Sequence, residues 1–202
     1  MIDRALVPDA APVDGARERA LDAALAESAA VSLQRMTVED VVRRSGLGRM
    51  TLYRRFPNRD ELVEALLVRE CRRFLAAVAA ALAEAGEPEE RVAAAFVAAM
   101  GFARTHPLTR RAAESEPGAA LETVAANDRR ILSMGREFIA AEISAGSPSA
   151  DPERVARVAD VVARLFVTYV GLPPTDPDPG DEIALQAFAR ETLVPLIAGA
   201  VD

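Results

Sequence analysis

The stretch Thr37–Glu61, TVEDVVRRSGLGRMTLYRRFPNRDE, constrains this chain more than any other. Thr37 is a good N-cap residue, with Asp40 three positions on to complete a capping box. Val38, Val41 and Val42 then fall at i, i+3 and i+4, the apolar face of a short helix. Gly46 can take the left-handed conformation that ends a helix and turns the chain. Leu47 points back inward. A second helix is expected from Arg49 to Phe56, with Leu52 and Phe56 four apart on its buried side. Arg49, Met50, Thr51, Tyr53 and Arg54 are left on the outer side. Pro57 stops that helix, and Asn58 with Glu61 caps the next one.

Helix, glycine turn, helix is the geometry that sets a second helix in a DNA major groove. The charges agree. Six arginines (Arg43, Arg44, Arg49, Arg54, Arg55, Arg59) and no acidic residue lie between Arg43 and Arg59, in a chain of net charge −7. A basic patch on an acidic protein focuses its field where a duplex would lie.

The segment resembles the DNA-binding domain of the TetR family of bacterial transcriptional regulators. The residues that carry the resemblance are Thr37-Val38, Val41, Ser45-Gly46-Leu47, Thr51-Leu52-Tyr53, Phe56-Pro57, Arg59 and Leu62. It covers about residues 15 to 70. Three positions depart from the family pattern: Gly48 stands where serine or threonine often caps the recognition helix, Arg59 replaces a lysine, and Met50 a small residue. The resemblance implies a roughly palindromic double-stranded DNA operator, a small-molecule effector and a homodimer. Thr37, Tyr53 and Arg59 are then expected on phosphates, where contacts set register without reading sequence. Arg49, Met50, Thr51 and Arg54 are expected at base edges. Arg44 and Gly48 complete the expected DNA-binding set. For Arg55, a salt bridge within the domain is the favoured reading.

The rest of the chain is read as helical. Half of its 202 residues are apolar but only 4% are aromatic, and alanine is abundant, which favours closely packed helices. Lysine is absent, so all 24 basic residues are arginine, as a coding bias would give. No apolar run reaches the roughly 18–20 residues that span a bilayer, no signal peptide is apparent, and the single Cys71 cannot form an internal disulfide. A cytoplasmic protein without membrane association is expected.

The expected organisation is all-α, with about nine helices in three parts. Residues 1–13 form a disordered arm, 14–62 a three-helix helix-turn-helix domain, and 63–202 a helical ligand-binding and dimerisation bundle. One helix runs from about Asp14 to Ala30. A rod about 40 Å long runs from Arg59 to Ala85, unbroken by Pro or Gly, and joins the two domains. Further helices are expected over Pro88–Thr105, Leu108–Ser115, Ala120–Ser144 (with Leu121 and Val124 on its apolar side), Asp151–Val170 and Asp181–Ala198. Pro195 is expected to loosen the last of these.

The Asp151–Val170 helix is apolar on two sides, which asks for burial on both. Val155, Val158, Val162, Leu165 and Tyr169, with Ile183, Ala187 and Val194 of the last helix, are the expected dimer interface. Within the bundle, Phe96, Met100, Met134, Phe138 and Phe166 are the candidate ligand contacts, since Met and Phe among alanines can line an apolar cavity. Arg104, Arg129 and Arg164 are weaker candidates for an acidic ligand group. His106, beside Pro107, reads as a turn residue or a pocket contact. Cys71 reads as a buried thiol rather than a redox sensor.

Nothing catalytic emerges. One histidine and one cysteine, 35 residues apart, with no nucleophile elbow, phosphate loop or metal-ligand spacing, give no enzyme, metal or cofactor reading. The alternative is an all-helical interaction module that keeps the fold without sequence-specific DNA binding. Salt-dependent binding to duplex DNA separates the two.

Overall fold

A computed structural model describes residues 14–115, 128–172 and 176–201. The 1–13 arm, Leu121, Val124 and the start of the helix expected from Ala120 lie outside the described residues. Among those described there is no strand, and the fold is all-α.

The helices are α1 (Gly15–Val31), α2 (Val38–Ser45), α3 (Arg49–Tyr53), α4 (Arg59–Glu84), α5 (Pro88–Thr105), α6 (Pro107–Ser115), α7 (Asp128–Gly146), α8 (Pro152–Gly171), α9 (Glu182–Phe188) and α10 (Val194–Val201). A π-helical turn, Ala189–Leu193, makes α9 and α10 one continuous rod. Counting that rod once gives nine helices among the described residues. Its wide turn lies just before Pro195, whose ring and missing N–H do not fit a regular helical ladder.

Local capping explains most boundaries. Asp14 accepts from the amides of Ala16 and Arg17, Asn58 from Glu61, Asp151 from Glu153, and Asp181 from Ile183 and Ala184. The α3 helix is shorter than expected. Its continuation to Phe56 is a turn, because Pro57 disfavours helical geometry at the residue before it.

Two kinds of core share the chain. The first joins α1 to α3 with the start of α4. Leu21, Met36, Val41, Leu52, Phe56, Leu62 and Leu66 are all essentially inaccessible there. Each such side chain contributes about 1.5–3 kcal/mol on burial. This core reaches Leu67, beyond residue 62. From Cys71 onward α4 belongs instead to the bundle, where Leu75, Val78 and Leu82 pack with Ala99 and Phe138. A further bundle cluster sets Ala93, Phe96 and Met100 of α5 against Leu185, Ala189 and Leu193. The α6 helix packs on α1, so the bundle touches the first domain at a second place besides α4.

Candidate functional site

Thr37 begins α2 with a complete capping box. Its hydroxyl accepts from the Asp40 amide at 3.2 Å and donates to Asp40 Oδ2 at 2.5 Å, while its own amide donates to the same oxygen at 3.1 Å. The hydroxyl's hydrogen bond and that of Arg43, at 2.7 Å, hold the Asp40 carboxyl below its ordinary range. Gly46 closes α2 at φ 65°, ψ 14°, the left-handed geometry. Leu47 returns into the core. Gly48 caps α3 with no side-chain hydrogen bond.

The outer side of α3 is exposed. Met50 is 82% accessible, an apolar side chain held out in solvent. Arg49 pairs with Glu39 at 2.9 Å and lies over the Tyr53 ring, 5.4 Å from its centroid. Both partners of that ion pair are well exposed, so it contributes little and exchanges readily. Arg54 is exposed and has no ion-pair partner among the described residues. Thr51 and Tyr53 are half-buried, and Tyr53 packs against the first core.

The other arginines do structural work. Arg55 grips Asp14 with two hydrogen bonds, at 2.6 and 2.9 Å, and donates to the Thr51 carbonyl. It therefore ties the end of α3 to the cap of α1. Chiefly through the Arg55 hydrogen bond, the Asp14 carboxyl is pushed down to about 2. Arg17 adds a cation over the Phe56 ring at 4.9 Å. Arg44 donates to the buried Glu27 at 2.9 Å and keeps a partly exposed guanidinium. Arg59, expected on a phosphate, is otherwise engaged. Its guanidinium donates to the carbonyls of Met36 at 2.9 Å, Leu33 at 2.6 Å and Gln34 at 3.2 Å. These carbonyls belong to the turn that delivers Thr37. That turn begins at Ser32, at φ 80°, ψ 153°, a region nearly reserved for glycine.

The bundle, with the end of α1 and the turn after it, lines an open cavity of about 1260 Å³. Phe96, Phe138 and Phe166 line it, as do Phe74 and Phe102. Met100 and Met134 are not among the lining residues. Met100 is buried in the α5–α9 packing, and Met134 packs on the cluster around Leu75. The cavity also touches the α1–α2 turn at Ser32 to Arg35. Cys71 is at its wall, and burial pushes that thiol up to about 12, which removes the thiolate a redox sensor needs. Glu70 and His106 line it as well, 3.1 Å apart. Glu70 is a buried acid on the apolar stripe of α4, one turn after Leu66 and one before Phe74. That placement was the available signal for a group the sequence reading did not single out. On its other side Arg69 donates to Glu70 at 2.7 Å and to Asp22 and Glu18 of α1 at 2.8 and 3.2 Å.

Two family models match this chain in succession. Residues 20–66 match the bacterial regulatory proteins of the tetR family, and residues 87–190 match the C-terminal domain of bacterial tetracyclin repressors. The chain belongs to the TetR family of bacterial transcriptional regulators. Solved structures agree in fold. The TetR-family repressor AlkX from Dietzia sp. strain DQ12-45-1b, implicated in biodegradation of n-alkanes, is 20% identical with a TM-score of 0.68, over 92% of this chain and 97% of that one. GusR of Salmonella enterica is 16% identical with a TM-score of 0.63, over 96% and 98%. The transcriptional repressor QsdR of R. erythropolis is 22% identical with a TM-score of 0.56, over 95% and 98%. No curated protein matches the sequence.

In this TetR-family chain the expected dimer residues divide. Val155 is buried at 2% within the chain, Val162 faces the cavity, and Tyr169 packs on Phe96 and Phe188. These three are committed inward because their side of α8 faces its own bundle. The outward side of the two helices instead carries Val161 and Ile183, 51% and 80% exposed, with Ala187 also exposed and Val158 half-buried, while Leu165 and Val194 are half-buried and line the cavity. Among the described residues no helix is long and apolar enough to cross a membrane.

Proposed function

We propose that this chain is a homodimeric repressor that binds a two-fold symmetric operator in the cytoplasm and is released from it by a small molecule. The observation that carries this reading is the outward face of α3. Arg49, Met50 and Arg54 stand exposed on a helix whose ends are tied to α1 through Leu52, Phe56 and Arg55. A rigid mount for exposed side chains is what base reading needs. Arg49 and Arg54 are assigned to guanine edges, and Met50 with the Thr51 methyl to thymine methyls. The Gly48 backbone, Tyr53 and Arg44 are assigned to phosphates, with Thr37 as the cap that starts α2 beside them. Arg59 serves them indirectly, by holding the turn that positions Thr37.

The dimer is assigned to the outward stripe of α8 and α9, Val158, Val161, Ile183 and Ala187. Two recognition helices then enter successive major grooves about 34–36 Å apart. The effector is assigned to the bundle cavity. The lever is α4, which belongs to both cores, aided by the Arg69 contacts to α1. A ligand shifts this equilibrium only by its differential affinity for the two forms.

Selection of random duplexes by the purified protein, at two salt concentrations, tests the proposal. A two-fold symmetric motif is expected. Tyr53→Ala should then weaken binding to every sequence, and Arg49→Ala should change the preferred bases. Salt-dependent binding without a motif would refute the operator reading in favour of a nonspecific DNA-binding protein, and no binding at either salt would favour an interaction module.

A further inference from the structure

We infer that Glu70 is the cavity's recognition group for a hydrogen-bond donor, and that the molecule it takes has an apolar body and a neutral hydroxyl-type head. The inference rests on the assignment of the cavity to the effector. It starts from burial. Glu70 is 5% exposed, yet its side chain forms part of the cavity wall. The other acids there differ: Glu89 is exposed, and Glu142 is half-buried and paired with Arg91 at 3.4 Å.

A carboxylate offers about four lone-pair sites. Oε1 of Glu70 accepts from Arg69 Nε at 2.7 Å and Arg73 Nη1 at 3.3 Å. Oε2 accepts from His106 Nε2 at 3.1 Å and, at 3.4 Å, from the same Arg73 nitrogen. One half-exposed guanidinium nitrogen shared between two oxygens is a weak partner, so Oε2 keeps capacity for another donor. The neighbouring groups are the weaker acceptors. His106 Nδ1 faces the Leu108 amide at 3.4 Å, which leaves the proton on Nε2, directed at Glu70. The Thr109 hydroxyl donates to the carbonyls of Ala103 and His106, and its lone pairs offer a neutral acceptor, weaker than a carboxylate.

The surrounding surface sets the rest of the molecule. His106 stacks on Phe102 at 5.0 Å, Phe102 meets Phe74 edge-on at 5.6 Å, and Phe74 stacks on Phe166 at 4.8 Å. This aromatic row leads from Glu70 into the bundle and suits an apolar body. Arg35, Arg91 and Arg111 line the cavity elsewhere, but the head that meets Glu70 is neutral, because this carboxylate is ionised and already compensated. Burial works to raise the Glu70 carboxyl, but the His106 hydrogen bond and the Arg69 charge outweigh it, so Glu70 stays ionised and repels an acid. An ammonium head gains little there, because Arg69 and Arg73 already compensate that carboxylate.

Calorimetry on the full chain tests this with four probes that share one body: 1-octanol, its methyl ether 1-methoxyoctane, octanoate and octylammonium. A hydrogen bond donated to a charged acceptor predicts that 1-octanol binds about tenfold or more tighter than the ether, which lacks only the donor. It should also exceed both ions. Glu70→Gln should cut the octanol-to-ether ratio to about threefold or less while leaving the ether's affinity near wild type. His106→Ala should keep the ratio. The wild-type ranking decides alone if Glu70→Gln fails to fold. Equal binding of alcohol and ether would overturn the role of Glu70 and leave the cavity's effector assignment standing. Octylammonium or octanoate binding tightest would overturn the neutral head, and loss of the ratio in His106→Ala but not in Glu70→Gln would move recognition to the histidine. If none of the four bound, the inference and the effector assignment would fall together.

Discussion

Arg59→Ala separates two accounts of one residue. As a phosphate contact, its loss would weaken DNA binding and leave the free protein's stability unchanged. As the clamp seen on Leu33, Gln34 and Met36, its loss destabilises the free protein. Three hydrogen bonds from a cation to carbonyls would contribute about 1.5–3 kcal/mol each if fully buried. The Arg59 side chain is 37% exposed, and water can reach part of the turn once it is gone, so about 1 kcal/mol each is the better figure. The expected loss is therefore about 2–3 kcal/mol. The clamp also restrains Ser32, whose backbone strain costs on the order of 1–3 kcal/mol, so freeing the turn releases part of that and places the net loss at the lower end. For a chain of this size the melting temperature should fall by about 4–8 °C. Arg59→Lys should recover less than half, because one ammonium cannot match a fork that reaches three carbonyls. Urea and thermal unfolding without DNA give the answer. A change below about 0.5 kcal/mol, with a reduced salt dependence of operator binding, would refute the clamp and restore the phosphate contact.

Three further outcomes follow from local geometry. Gly46→Ala should destabilise by about 1–2 kcal/mol, because alanine at φ 65° is strained even though a Cβ there meets nothing within 4 Å. Gly101→Ala, at an equally open site inside α5, should instead stabilise by about 0.5–1 kcal/mol, and denaturant midpoints that moved the same way for both would contradict the argument. Asp14→Asn keeps the helix cap, since Asn caps as well as Asp, but removes the Arg55 ion pair. The folded Asp14 carboxyl lies at about 2, below its unfolded value near 3.9. Its contribution is thus present above about pH 4 and lost as pH falls toward 2. Wild type should be the more stable protein at pH 7, and unfolding midpoints of the two should converge by about pH 2; a pH-independent gap would rule out the ion pair as its source.

The parts of this chain that could be read from sequence are those set by local chemistry. Thr37 with Asp40, Gly46, Leu52 with Phe56, and Asn58 with Glu61 each act within a few residues. The structure has both caps, the left-handed turn and the buried pair where that chemistry puts them. The placement of Arg59 was not local. Its acceptors lie 23 to 26 residues earlier, and charge alone could not distinguish a carbonyl clamp from a phosphate contact. The bundle shows the same limit. Phe96 reaches the cavity and Met100, four residues on, does not. Val155 is buried within the chain while Val161, nearly two turns later, is exposed. Composition identifies a two-sided helix, but only the packing of α7 on α8 decides which side is already covered.

The buried acid on α4 shows why such helices resist a binary reading. A long rod with apolar residues on one face predicts a core, and Leu66, Phe74, Leu75 and Val78 supply one. Glu70 interrupts that face at a cost that must be offset by partners, since an isolated buried carboxylate is strongly disfavoured. Its partners come from both directions along the molecule: Arg69, which holds α1, and His106, at the turn between α5 and α6. A hydrophobic residue of similar volume would pack at least as well and ask for no compensation. What it could not do is change its contacts when a hydrogen-bond donor enters the cavity. The one position where α4 departs from an apolar stripe is therefore also the one position that touches the cavity, the α5–α6 turn and, through Arg69, the first domain. A sensor in this bundle has its most direct physical basis there.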